Sequence, residues 1–85
     1  MKVEFYRTVL CPRCLYTAHQ LKKISKEFPE LEIETIEITT NLSRTRAAAI
    51  RSVPALKIGK EVLTGIILTP QNIRGFIAKN LSTSS

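Results

Sequence analysis

The sequence has few of the residues from which metal sites and membrane spans are built. Its 85 residues include two cysteines, one histidine and no tryptophan. A structural zinc site needs four ligands, and two cysteines with His19 do not supply them within one chain. No stretch approaches the roughly 18 consecutive apolar residues of a membrane-spanning helix. We therefore expect a single domain over residues 1–85, with one modest core and no membrane partner.

Acidic residues are also scarce, since 7 Asp and Glu accompany 13 Lys and Arg and leave a net charge of +6. The basic residues form modest clusters, for example Lys22, Lys23 and Lys26. A nucleic-acid surface would interleave such clusters with exposed aromatic side chains, but at least three of the aromatic residues follow core-like spacing. We expect no nucleic-acid partner and a solvated basic surface, whose charge can still select acidic protein partners.

Both cysteines lie in one short motif, CPRC at residues 11–14. On a helix, residues three apart share a face with Cβ atoms about 5–6 Å apart, close to the geometry that a disulfide requires. The preceding Lys2–Arg7 predicts a strand, and the following Leu15–Phe28 predicts a helix. The turn between them places Cys11 at a helix N-terminus, where the dipole and free N–H groups favour an anion. This is the setting in which a thiol becomes a reactive thiolate.

Two other uses of the cysteine pair are disfavoured, and one stays open. A haem attachment motif requires histidine directly after the second cysteine, where this chain has Leu15. A structural disulfide across so short a loop adds little stability, because its loop-closure entropy is small. A metal ion shared between two chains through the cysteines stays open. We favour dithiol redox chemistry, with no organic cofactor and no metal site.

The remaining hydrophobic patterns predict seven elements in the order β-α-β-α-β-β-α. They are a strand at Lys2–Arg7, a helix from Pro12 to Phe28, a strand at Leu31–Thr39, a helix that begins within Thr40–Ser43 and ends at Arg51, strands at Ala55–Ile58 and Glu61–Thr64, and a helix from Pro70. A parallel βαβ unit followed by a hairpin and a closing helix gives an α/β fold. We expect a four-stranded mixed sheet flanked by helices on both faces.

Several local patterns refine this prediction. The loop Gly59-Lys60 is typical of a type II′ hairpin. The apolar alternation of the second strand slips, which predicts a bulge near Thr35 or a strand that begins after Leu31. The three glutamates of that strand favour an edge position. In the first helix, spacings of three and four predict a buried stripe. Its members are Leu15, Ala18, Leu21, Ile24 and Phe28.

The element order, with CPRC after the first strand and Ser52-Val53-Pro54 before the third, resembles the thioredoxin superfamily over essentially the whole chain. In length it is similar to a glutaredoxin-sized domain. The resemblance implies that Cys11 is the exposed nucleophile and that Cys14 resolves the mixed disulfide. It also implies that Pro54 is a cis-proline beside the disulfide and that Val53 pairs with substrate backbone. From the residues alone, Pro54 would be an ordinary proline at the start of a strand.

Two further residues acquire expected roles beside this resemblance, and one stretch lacks a feature of glutaredoxins. Arg13 is expected to lower the pKa of Cys11, because a nearby cation favours the thiolate. Arg13 is also expected to contact substrate. Glu4 matches the buried acid that relays a proton under the second cysteine in thioredoxins, although a solvent-facing glutamate is the alternative. The stretch from Gly65 to Pro70 lacks the acidic turn with which glutaredoxins hold the glutathione carboxylate.

These observations predict a thiol–disulfide oxidoreductase that reduces protein disulfides. Its expected partners are a disulfide-containing client and, as electron donor, a reductase or a small thiol, with the chain acting as a monomer. No apolar signal region precedes the first strand, so we expect a cytoplasmic protein. A glutathione-dependent glutaredoxin, an iron–sulfur carrier that bridges two chains and a non-enzymatic docking domain are the alternatives.

Overall fold

The computed structural model of the chain describes residues 1–9, 11–64 and 68–83, except for the side chains of residues 82 and 83. Within these residues the elements follow the predicted order. They are β1 (Lys2–Arg7), α1 (Pro12–Ser25), β2 (Glu32–Glu37), a 3-10 helix (Ile38–Thr40), α2 (Leu42–Ala47), β3 (Ala55–Ile58), β4 (Glu61–Thr64) and α3 (Pro70–Thr83). Across the described residues, every helix is too short or too polar to span a membrane.

The four strands form one mixed sheet in the order β2-β1-β3-β4, which confirms the predicted fold class. β1 is parallel to β2 and antiparallel to β3, and β3 and β4 form the hairpin. The C-terminal ends of β1 and β2 therefore lie next to the N-terminal end of β3, at one end of the strands. The loop to Cys11 leaves β1 at this end of the sheet, and Val53 and Pro54 lead into β3 there.

Both faces of the sheet are covered, because side chains of β1 alternate between two apolar clusters. Val3 and Phe5 face the larger cluster, which lies beneath α1 and α3 and includes both cysteines. Tyr6 faces the smaller cluster on the α2 side, together with Ile36 and Ile50. Burying one large apolar side chain contributes about 1.5–3 kcal/mol, so the larger cluster contributes most of the packing energy.

The slipped alternation of the second strand has a simple cause. β1 and β2 pair without interruption from Lys2↔Glu32 to Arg7↔Glu37, so the predicted bulge near Thr35 is wrong and the later strand start is confirmed. Ile33 packs against the larger cluster and Ile36 belongs to the smaller one. Apolar residues of both phases are buried because helices lie on both sides. β2 occupies the predicted edge position.

The first helix is shorter than predicted and its buried face begins one residue earlier. α1 ends at Ser25 rather than Phe28. Leu15 was expected in the core but is 59% exposed. The buried positions instead follow from the second cysteine at helical spacing. They are Cys14, Thr17, Leu21 and Ile24.

The second helix also ends early, at Ala47 rather than Arg51, in a left-handed turn. Ala49 has φ of 59°. The N–H of Ala49 donates to the Arg46 carbonyl at 2.9 Å, and the N–H of Ile50 donates to the Thr45 carbonyl at 3.2 Å. This pair of hydrogen bonds is the Schellman motif, which usually has glycine at the left-handed position. The turn carries Ile50 into the smaller cluster.

Two turn and cap signals of the sequence are confirmed. Gly59 adopts φ of 58° whereas Lys60 has no positive φ, the pattern of a type II′ rather than a type I′ turn. Thr69 caps α3 by accepting a hydrogen bond from the Asn72 N–H at 3.2 Å, and Pro70 occupies the first helical position. Both signals were readable because each depends on residues next to one another in sequence.

Ala49→Gly should stabilise the fold. A left-handed conformation costs an L-residue about 1–2 kcal/mol, from which the extra unfolded-state entropy of glycine must be subtracted, so we expect a gain of about 0.5–1 kcal/mol. The measurement is the urea unfolding free energy. Ala48→Gly is the matched control, because Ala48 has a right-handed φ of −82° and should lose stability instead. A gain in both variants would contradict the assignment.

Candidate active site

The start of α1 brings the two cysteines together. Cys11 is the N-cap residue, with extended φ and ψ of −122° and 101°, and its sulfur accepts a hydrogen bond from the Cys14 N–H at 3.3 Å. Pro12 follows at the first helical position, where its missing N–H removes no helical hydrogen bond. Both cysteines are free thiols. One helical turn therefore places a sulfur at the helix end and a second sulfur beneath it.

The two sulfurs have different surroundings. Cys11, which the resemblance implied to be exposed, is 8% exposed and belongs to the larger cluster, whereas Cys14 is fully buried. The hydrogen bond from the Cys14 thiol lowers the pKa of Cys11, and the Cys14 backbone N–H and the guanidinium of Arg13 lower it further against the effect of burial. Burial raises the pKa of Cys14 to about 11, with the hydrogen bond to Cys11 adding to the rise. Thiolate character is thus concentrated on Cys11.

Val53 and Pro54 lie at the same end of the sheet as the cysteines. Their peptide bond is cis, as the resemblance implied. Pro54 is fully buried, and the half-buried Val53 packs against both clusters. Because Ala55 pairs with Tyr6 near the end of β1, these two residues lie beside the loop that leads to the CPRC motif. The structure therefore brings together four sequence-predicted site residues with Arg13 at their margin.

Glu4 is not brought to this site. It lies on the opposite face of the sheet from Cys14, because Val3 and Phe5 on either side of it face the cysteine cluster. Its carboxylate accepts hydrogen bonds from Arg44 at 2.7 Å and from the Tyr6 hydroxyl at 3.1 Å. The side chain is 21% exposed, so it does not face bulk solvent either. The apolar phase of β1 was the signal that a position between Val3 and Phe5 points away from the thiols.

Sequence reasoning missed the ionic cluster in which Glu4 takes part. Glu4 and Glu34 are directly paired across β1 and β2, an arrangement that two carboxylates would destabilise alone. Arg44 of α2 lies between them and contacts Glu34 at 2.8 Å, and Lys2 contacts Glu34 at 2.8 Å. The hydrogen bonds from Arg44 and Lys2 lower the pKa of Glu34 to about 2. The cluster fastens α2 to the sheet.

Two further points concern the stretch before α3 and the single histidine. The first three residues of the stretch from Gly65 to Pro70, which was expected to lack a glutathione-binding acid, lie outside the described residues. Leu68, the next residue, is buried in the larger cluster. His19 is exposed on α1.

Solved structures of thioredoxins are similar to this chain over most of its length. Thioredoxin 1 from Thermosipho africanus TCF52B superposes with a TM-score of 0.82 at 21% identity, covering 99% of this chain and 98% of the other. Oxidised thioredoxin from Plasmodium falciparum gives 0.79 at 17% identity, covering 93% and 79%. Reduced desulfothioredoxin from Desulfovibrio vulgaris Hildenborough gives 0.77 at 21% identity, covering 92% and 79%.

These similarities establish the fold. The chain has the thioredoxin fold, with the CPRC motif at the start of its first helix and a cis-proline before its third strand. No protein-family model matches the sequence, and no curated protein matches it either.

Acid should weaken the fold through the ion pairs of Glu34. Its pKa of about 2 in the folded chain lies below the value of about 4.3 in an unfolded one. The ion pairs therefore stabilise the folded state above about pH 4.3, and this contribution is lost as pH falls toward about 2. Glu34→Gln should show a smaller fall of the urea midpoint over this range. Glu30→Gln is the control, since Glu30 forms no ion pair in the described part of the chain, and equal behaviour of both variants would contradict the assignment.

Arg13→Ala should raise the pKa of Cys11, because it removes a cation that favours the thiolate. Destabilising the thiolate destabilises the reduced state, so the disulfide should become more stable and the protein more reducing. Thiolate absorbance at 240 nm measures the pKa, and a thiol–disulfide redox buffer measures the second effect. Arg46→Ala, which removes an exposed cation from α2 on the other face, should change neither. An unchanged pKa in Arg13→Ala would mean that the guanidinium does not act on the thiol.

Proposed function

We propose that this protein is a thiol–disulfide oxidoreductase that reduces disulfides in client proteins. The observation that carries the proposal is the difference between two sulfurs held within one helical turn. Cys11 is 8% exposed with a lowered pKa, and Cys14 is fully buried with a pKa of about 11. A nucleophile must reach substrate as a thiolate, whereas a resolving thiol must stay protonated until the first bond has formed.

The reaction follows from this order. The Cys11 thiolate attacks one sulfur of the client disulfide, the client S–S bond breaks, and the released client thiolate takes a proton from solvent. Cys14 then gives its proton to solvent and attacks the Cys11 sulfur, which breaks the mixed disulfide and releases the second client thiolate, which takes up a proton from solvent. Two electrons pass from the protein dithiol to the client. A reductase or a small thiol afterwards restores the dithiol, and the cycle uses no organic cofactor.

Protein substrates are favoured over glutathione by the surroundings of Cys11. Val53 and Pro54 directly precede β3 beside the motif, where an extended client segment can pair with the Val53 backbone. Three exposed apolar side chains lie close to Cys11 in sequence, namely Val9, Leu15 and Tyr16. Such a surface suits a polypeptide of loose sequence. We propose a monomer acting in the cytoplasm on such clients, with no nucleic-acid partner.

A trapping experiment tests the assignment of roles. Pre-reduced Cys14→Ser should form a stable mixed disulfide with insulin, because the nucleophile remains while the resolving thiol is gone. Cys11→Ser should form none, since the remaining thiol is fully buried and largely protonated. Non-reducing electrophoresis and intact mass measure the adduct, and the wild-type chain should release free insulin thiols without accumulating it.

The same protein preparations also test the alternative functions. Efficient reduction of a glutathione mixed disulfide with little insulin reduction would falsify the client preference and point to a glutaredoxin. Visible absorbance in the freshly purified wild-type protein that is absent from the Cys11→Ser variant would point to an iron–sulfur carrier. An inert dithiol in every assay would leave only a docking role.

A further inference from the structure

The exposed face of α1 changes character along its length. We define the α1 outer face as Leu15, Tyr16, His19, Lys22 and Lys23, which share one side of the helix at spacings of three and four. Leu15 is 59% and Tyr16 is 42% exposed, one turn from the nucleophile. The following His19, Lys22 and Lys23 are exposed as well. The face is thus apolar near the sulfur and basic farther away.

We infer that the α1 outer face is a docking strip for client segments that are apolar beside the reactive cysteine and acidic about five residues from it. The inference rests on the proposed function and names the class of client. A helix rises about 1.5 Å per residue, so Lys22 lies roughly 16 Å along α1 from Cys11. An extended client segment covers this distance in about five residues.

Charge complementarity identifies the occupant. α1 contains no acidic residue, and Lys22 and Lys23 form no ion pair in the described part of the chain. Glu27, just beyond the helix, is engaged by Arg74 at 2.7 Å. The lysines therefore present an uncompensated positive field at the end of the strip. An acidic segment supplies the missing charge and is steered toward the strip before contact.

A solvated basic face alone does not account for the two apolar side chains. Leu15 and Tyr16 point outward at the end of the strip that adjoins the nucleophile, where a client must make contact. An anionic membrane fits less well, because the apolar stripe of α1 is already buried in the core and only two large apolar side chains of the helix, Leu15 and Tyr16, are exposed. Membrane-surface helices need a continuous apolar face to insert.

Single-turnover reduction of model peptides tests the strip. Each peptide contains an intramolecular disulfide flanked by leucine, with three glutamates or three glutamines about five residues away, on the N-terminal or the C-terminal side. Pre-reduced protein should reduce at least one glutamate peptide about fivefold faster than its glutamine counterpart at low salt, as expected for two exposed ion pairs. The preference should vanish in about 1 M salt, where the Debye length is about 3 Å.

Matched variants separate local docking from net charge. Lys22→Gln/Lys23→Gln should abolish the preference while reduction of the glutamine peptides is unchanged. Lys60→Glu makes the same change in net charge. Lys60 lies in the β3–β4 turn, at the end of the sheet away from the cysteines, so this variant should keep the preference. Leu15→Ser should slow the reduction of both peptides.

The outcomes distinguish this inference from the proposed function. Equal rates for glutamate and glutamine peptides, or equal effects of the two charge variants, would overturn the docking strip and leave the oxidoreductase standing. Failure to reduce any peptide would overturn both. Binding of anionic vesicles or of an oligonucleotide that depends on Lys22 and Lys23, without a peptide preference, would assign the lysines to that surface and overturn the strip.

Discussion

The alternation of side chains along β1 is the constraint on which the arrangement of the site depends. Val3 and Phe5 face the cluster that contains both cysteines, whereas Glu4 and Tyr6 face the ionic contacts of Arg44. One central strand therefore separates an apolar environment for sulfur from a charged one. Burial raises the pKa of Cys14 to about 11, and the hydrogen bond to Cys11 adds to the rise, while the ionic cluster lies on the other face of the sheet.

The orientation of α1 about its own axis determines both the environment of each cysteine and which side chains of the helix are exposed. Cys14 faces the core and Cys11 caps the helix, so two residues three apart are close in space but unequal in exposure. The same orientation turns Leu15 outward, where sequence periodicity had placed it inward. A rotation by one residue would bury Leu15 and expose Cys14. The exposed Leu15 side chain near Cys11 is thus a direct consequence of burying the second sulfur.

Much of the fold was predictable because its signals are local. The order of elements, the turn at Gly59 and the cap at Thr69 each depend on neighbouring residues, and the dithiol was evident from its spacing. Helix ends and the position of Glu4 depend on tertiary contacts instead. α2 ends at Ala47 because Ile50 must reach the smaller cluster, and nothing in a run of alanines indicates this. Glu4 was assigned by the resemblance to thioredoxins, although the alternation of side chains along its own strand turns it away from the cysteines.

The edge strand β2 links the charge of the protein to its association behaviour. Its glutamates discourage a second chain from pairing along the open edge, and Glu34 also holds α2 in place through Arg44. Both effects depend on charged carboxylates in one short strand. A substitution in β2 can therefore alter the protection of the sheet edge and the attachment of α2 at the same time.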